Sequence, residues 1–220
     1  MAKIGIGVTT FRRPEMLQKC LDSIRRHTFM DGVTIYVADD SIERKGVAYR
    51  KNECLRALKD SDYIFLFDDD CYPIHDNWIM FFIQSHLFSK QHHFLYLNKS
   101  HRVDRIVRFS DCQNMIKLYK DCGGVFMFLT KECIKKVGAF NEKFETWGFE
   151  HAEYSQRINM AGLNSFWSYL CIENTENYIY SEDYSNPNHK SSITNEEKNL
   201  LFKKNFPKFA KGIDKIYIPL

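Results

Sequence analysis

The stretch Tyr63–Pro73 reads YIFLFDDDCYP: five apolar residues of a buried strand run straight into three consecutive aspartates, a thiol, a tyrosine and a proline. In an extended chain alternate side chains share a face, so Asp68 and Asp70 point one way and Asp69 the other. Two anions on one face repel unless water or a cation separates them, and an all-oxygen pair suits a hard ion such as Mn²⁺ or Mg²⁺. The same residues also fit a solvated acidic turn, with one aspartate capping a helix whose first turn holds Pro73.

Working outward, residues 3–8 (KIGIGV) alternate as a strand, and TTFRRPE then carries turn and helix-start signals with Pro14 early in the helix. Leu17, Cys20, Leu21 and Ile24 make one apolar helix face that ends near His27. VTIYVA (33–38) is a second strand, which ends on Asp39 and Asp40. Gly46 then opens a helix containing Ala48, Leu55 and Leu58 that returns the chain to YIFLF. Strand, helix, strand, helix, strand predicts an α/β fold with a mostly parallel sheet and right-handed crossovers. Ligands collect at the carboxyl ends of such strands, where both acidic clusters lie, so the two are expected to face one cleft.

The second half is less regular. A helix is expected over 76–90, strands in FLYLN and IVRFS, and a strand in CGGVFMFLT, whose paired glycines imply backbone passing close to something bulky. Residues 131–137 read as a helix stopping at Gly138, and a further helix runs from near Glu150 to near Gly162. SFWSYLC is strand-like, 181–193 (SEDYSNPNHKSSI) reads as a mobile polar loop, and a helix spans about 195–204 before a basic tail.

A chain of 220 residues with 44% hydrophobic content can bury one core, and a single domain is expected. A net charge of +3 is too small to argue for nucleic-acid binding without a localised patch. No apolar run approaches the roughly 20 residues of a membrane span, and the N-terminus enters a strand without a signal-peptide pattern, so a cytosolic location is expected. The seven cysteines (20, 54, 71, 112, 122, 133 and 171) are scattered with no C-x-x-C pair, which reads as mostly reduced core thiols.

Four pieces taken together, VTTFRRPEMLQKCLDSI, VADDS, GVAYRKNECLRAL leading into YIFLFDDDCYP, and GAFNEKFETWGFEHAEYSQRI, resemble the GT-A glycosyltransferases, closest to inverting family 2, over roughly residues 3–165. The resemblance implies a GT-A, Rossmann-like single domain, with a nucleotide-binding half (1–75) and an acceptor-side half (76–220). It implies a UDP-sugar donor, with Thr9 and Asp40 facing the base, Asp68 and Asp69 beside the nucleotide sugar, and Lys51, or Arg50, as a basic residue nearby. A solvated helix face serves equally well for either cation. Asp68 and Asp70 become the D-x-D pair for Mn²⁺ (or Mg²⁺), with Asp70 on the metal itself, and His189 lies where some relatives supply a third ligand. Trp147 either lines the acceptor site or fills core.

One position departs from the pattern. Where the family carries Glu-Asp after Trp-Gly, with the aspartate as general base, this chain has Glu150-His151. Register points to His151 and residue type to Glu150, with a helix N-terminus favouring the carboxylate. Glu153 and Arg157, at i and i+4, are expected to form a helix-surface pair.

The resemblance implies a metal-dependent inverting transferase that moves a hexose or amino sugar from a UDP donor to a hydroxyl acceptor: glycan, lipid, protein or modified nucleic acid. A non-catalytic sugar- or nucleic-acid-binding module is the alternative that His151 keeps open. A sugar nucleotidyltransferase is disfavoured because TTFRRPE lacks the glycine-rich loop expected after the first strand.

Overall fold

The computed structural model describes residues 2–109 and 114–220. Cys112 and the Ser110 end of the expected IVRFS strand lie outside them. The first half follows the expected order: β1 (Ile4–Thr10), α1 (Pro14–Arg26), β2 (Val33–Asp39), α2 (Val47–Ala57) and β3 (Tyr63–Asp68). A short β4 (Cys71–Pro73) carries the chain into α3 (Trp78–Ser89). Then come β5 (His93–Leu95), β6 (Val103–Val107), β7 (Ile116–Tyr119), β8 (Phe126–Thr130) and α4 (Lys131–Val137). The chain closes with α5 (Glu150–Met160), β9 (Tyr169–Ile172), β10 (Ile179–Ser181), α6 (Glu182–Ser185) and α7 (Asn195–Ala210).

The central sheet has the order β2-β1-β3-β8-β5. β1 pairs in parallel with β2 and β3, and β8 runs antiparallel to both β3 and β5, so four of the five strands share one direction. The fold is thus a single α/β domain on a mixed, mostly parallel sheet. β6-β7-β9 and β10-β4 form two small antiparallel sheets beside it.

The alternation in IGIGV decides how the layers stack. Ile4, Ile6 and Val8 enter one core with Phe65, Phe67, Trp78 and Phe82, under α1 and α3. On the opposite face β1 presents only Gly5 and Gly7 to α2, because a Cβ at Gly7 would stand 2.7 Å from that of Cys54. α2, α4 and α5 cover that face around Leu55, Ile64, Leu66 and Ile158.

Several elements differ from the sequence reading. Arg157 is fully buried: it pairs with Glu153 at 2.9 Å and donates to the carbonyls of Val137, Ala139 and Ile216. The pair is therefore an interior staple that fastens the C-terminal tail, and a surface i, i+4 pair is ruled out. Strand β9 begins only at Tyr169, leaving Trp167 exposed. Residues 181–185 are structured, ending β10 and forming α6, with Ser181 and Glu182 buried, so only 186–193 lacks helix or strand. Helix α7 continues past Lys204 through Pro207 to Ala210, and its start carries the Thr194-x-x-Glu197 cap, Thr194 Oγ1 accepting from Glu197 N at 3.1 Å. Five of the six described cysteines are buried free thiols, as expected.

Candidate active site

The strand β3 delivers its acidic end to the edge of the sheet, and alternation sorts the three carboxylates. Asp69 turns inward, with no exposed surface, and is held by Arg13 and by Thr10 Oγ1 at 2.6 Å. Burial pushes its carboxyl up to about 7 even though Arg13 and Thr10 pull the other way. Its expected place beside a nucleotide sugar is not where it lies; it is the counter-charge that aims Arg13. Asp68 and Asp70 face a cleft that is also lined by Thr9, Asp40, Arg44, Arg50 and Trp147, so the two acidic clusters do share one cleft. Thr9 Oγ1 donates to Asp68 Oδ1 at 2.9 Å.

Asp40 is strongly committed. Its Oδ1 accepts from Lys45 N at 2.7 Å and Arg50 Nε at 2.8 Å, and its Oδ2 from Gly46 N at 3.0 Å, which leaves acceptor capacity on Oδ2.

Asp70 draws in two residues from the C-terminal segment. β10 pairs with β4, and the ladder extends through Glu182 N to the Asp70 carbonyl at 2.9 Å. Glu182 anchors that segment by accepting from Lys19 at 2.7 Å and Tyr72 at 3.1 Å. Asp183 and His189 therefore stand over Asp70, and one ligand atom from each of the three lies within 4.8 Å of the others. His189 Nε2 is 3.2 Å from Asp70 Oδ2 and 3.4 Å from Asp183 Oδ1. Arg13 Nη1 also takes Asp70 Oδ2, at 2.7 Å, whereas the buried Asp70 Oδ1 has no hydrogen-bond partner among the described residues. Two carboxylates, one imidazole and an orphaned buried carboxylate oxygen fit a divalent ion of the Mn²⁺ type. Of the three, the sequence reading names Asp70 and His189 and omits Asp183, although an acid and a histidine six residues apart were the available signal. Asp68 stands outside this trio.

Lys51 is neither a cleft cation nor a solvated one. It is 1% exposed, with Nζ 3.1 Å from Gly124 O, 3.4 Å from Glu150 Oε1 and 3.8 Å from Asp68 Oδ1. Burial opposes its charge, but Asp68 and Glu150 outweigh it and hold the ammonium above the ordinary lysine value. The cations facing the cleft are Arg13, Arg44 and Arg50.

A second, adjoining cleft holds Glu150 and His151 at the start of α5, together with Asp68, Trp147 and Asp183. The two side chains meet: His151 Nδ1 lies 3.1 Å from Glu150 Oε1, and Glu150 Oε2 accepts from Gly148 N at 3.1 Å. Burial works against both charges, yet His151 and Lys51 pull the Glu150 carboxyl well below its usual range. Glu150, with Cys122 alongside, carries the His151 imidazolium up to about 10. The paired glycines after Cys122 make the room that the sequence implied. A Cβ on Gly124 would stand 2.7 Å from the His151 ring, and one on Gly123 would strike the Tyr184 hydroxyl.

Residues 104–184, from within β6 to Tyr184 in α6, match the family described as the N-terminal domain of galactosyltransferase. An uncharacterized glycosyltransferase of Acanthamoeba polyphaga mimivirus is 30% identical over 141 residues, which is 61% of this chain and 53% of the relative. The chain thus spans about half the length of that relative. The catalytic domain of Drosophila β1,4-galactosyltransferase 7 in complex with xylobiose is similar at a TM-score of 0.53 and 17% identity, covering 93% of this chain and 81% of its own. A mannosyltransferase from Pyrobaculum calidifontis in complex with GDP-Man and Mn²⁺ reaches 0.57 at 13% identity, covering 74% of this chain and 53% of its own. TarS of S. aureus in complex with UDP-GlcNAc reaches 0.54 at 11% identity, covering 91% and 64%. At such identities the likeness speaks for the fold.

Proposed function

We propose that this chain, which has the GT-A glycosyltransferase fold, is a metal-dependent inverting glycosyltransferase that moves a hexose or N-acetylhexosamine from a UDP-sugar to an acceptor hydroxyl. The observation that carries this reading is the Asp70–Asp183–His189 cluster, with its unpartnered Asp70 oxygen, in the cleft at the carboxyl end of the sheet. Those three residues would hold Mn²⁺, which as a Lewis acid offsets the charge of the departing diphosphate. Arg13 and Arg44 face the same cleft, paired with Asp69 and Asp70 and with Glu197, and would donate to the phosphates by sharing or exchanging those carboxylates. Solved neighbours bind UDP-Gal, UDP-GlcNAc or GDP-Man, so the choice of uracil rests on Asp40, whose Oδ2 retains capacity to accept the base N3–H.

Glu150 is the proposed base. In a single displacement the acceptor oxygen attacks the anomeric carbon, the bond from that carbon to the diphosphate oxygen breaks, and the hydroxyl proton passes to a carboxylate on the opposite face. Three donors occupy Glu150 (His151, Lys51 and Gly148 N), which leaves one of its roughly four acceptor positions for the hydroxyl. His151, already protonated at neutral pH, holds the carboxylate ionised and in place. His151 is the more exposed of the two, 17% against 4% for Glu150, and serves as the alternative base only in its minor deprotonated form.

A thermal-shift screen of UDP-sugars with Mn²⁺ selects the donor, and NMR of the product then reads its anomeric configuration. Inversion is expected; retention would overturn the single displacement. Failure of every UDP-sugar alongside success of a GDP-sugar would overturn the base assignment.

A further inference from the structure

The cleft at Glu150 does not end at the catalytic pair. Its outer wall is formed by Lys120, Tyr169 and Phe209, and the same three residues line a second depression, which continues to Asn159, Ser168 and Trp167. The two volumes are about 630 Å³ and 440 Å³, each within the range of ligand pockets, roughly 300–1,000 Å³. The second depression is lined by flat rings, those of Tyr119, Trp167, Tyr169 and Phe209, together with polar side chains. Trp167, 78% exposed, sits at the far end, where nothing among the described residues covers it. Asn159 is 92% buried by complement of its 8% exposure; its Nδ2 donates to Ser168 O at 3.2 Å, whereas its Oδ1 has no donor. Gln156 Nε2 donates to the Tyr169 hydroxyl at 3.2 Å. The charges in this depression cancel: Lys120 Nζ lies 3.4 Å from Asp104 Oδ1.

We infer that this second depression is a distal acceptor subsite, and that the acceptor is a neutral oligosaccharide whose terminal sugar lies at Glu150 while a preceding unit packs on Trp167. The chemistry is that of a sugar chain. Ring faces pack on aromatic side chains such as the exposed Trp167, and the polar side chains lining the depression, Gln156 and Ser168 among them, offer hydrogen-bond partners to sugar hydroxyls. A self-neutralised Lys120–Asp104 pair gives no net charge to draw a polyanion, which argues against a nucleic-acid acceptor.

The inference rests on the glycosyltransferase reading, and one set of measurements separates the two. Saturation-transfer NMR is recorded on the protein with neutral β-linked glucose, xylose, mannose and N-acetylglucosamine chains of increasing length. UDP binding with Mn²⁺ is measured calorimetrically on the same sample. The expected result is UDP binding together with saturation of two or more consecutive sugars in at least one series, with loss of the distal-unit signal in Trp167→Ala. Trp167 is exposed, so the variant should keep its fold, and its circular dichroism checks that. UDP binding with saturation of a terminal unit alone, with no oligosaccharide signal in any series, or with a pattern unchanged in Trp167→Ala, overturns the subsite and leaves the transferase reading in place. Absence of UDP binding overturns the transferase reading itself.

Discussion

At the scale of single residues, the chemistry turns on how Glu150 and His151 share a proton. In the sequence, register points to His151 and residue type to Glu150. The structure instead joins them as an ion pair, because Gly124 lets the imidazole fold back onto Glu150. The pair's pH behaviour follows from the shift directions. The Glu150 pKa is lowered in the folded state, so its stabilising contribution is present above the ordinary carboxylate range and fades as pH falls through the folded value. The His151 pKa is raised to about 10, so its contribution is full below the unfolded value of 6.5 and is lost as pH climbs toward 10. With Glu150 as base, kcat/KM should stay flat between pH 6 and 8, whereas His151 as base, with its pKa raised to about 10, would make kcat/KM climb throughout that interval. Glu150→Gln should lower kcat by about 10²–10⁴-fold with UDP binding intact. If Glu150→Gln turns over normally while His151→Ala is dead, the imidazole is the base.

At the scale of elements, the first half was legible because each strand and helix is short, strongly patterned and bounded by Pro14, Gly46 or an acidic strand end. The second half was less so, since its sheets are antiparallel and pair strands distant in sequence, such as β4 with β10. Spacing alone could not tell a surface pair from a buried one at Glu153 and Arg157, because only tertiary packing brings the Val137, Ala139 and Ile216 carbonyls to the guanidinium. Asp183 was missed for the same reason: its role depends on α6 being pinned by Lys19 and Tyr72. Breaking the Arg157 staple leaves Glu153 charged and buried, so Arg157→Ala should cost about 3–5 kcal/mol. Urea unfolding should show the midpoint falling, whereas a change within 0.5 kcal/mol, typical of a surface residue, would contradict the buried role. Lys51→Met removes the cation between two carboxylates and is expected to destabilise the fold by a similar, several-kcal/mol amount, read from the same unfolding curves.

At the scale of the whole molecule, two clefts meet where α6 and the segment 186–193 cross the sheet edge, with Ser191, Ser192 and Ile193 lining the donor side. We propose this segment as a lid: it has no helix or strand of its own and carries His189 to Asp70. Limited proteolysis should show 186–193 gaining protection when UDP and Mn²⁺ are added together. Unchanged cleavage would remove the lid from the account. The dependence of UDP binding on a divalent ion held by Asp70, Asp183 and His189 is measured by calorimetry of UDP with Mn²⁺, with chelator, and in Asp70→Ala. Tight binding is expected only in the wild-type protein with metal, because without the ion the Asp70 and Asp183 carboxylates of the cluster, with Asp68 beside them, face a diphosphate of the same sign. Equal UDP affinity in all three titrations would contradict it.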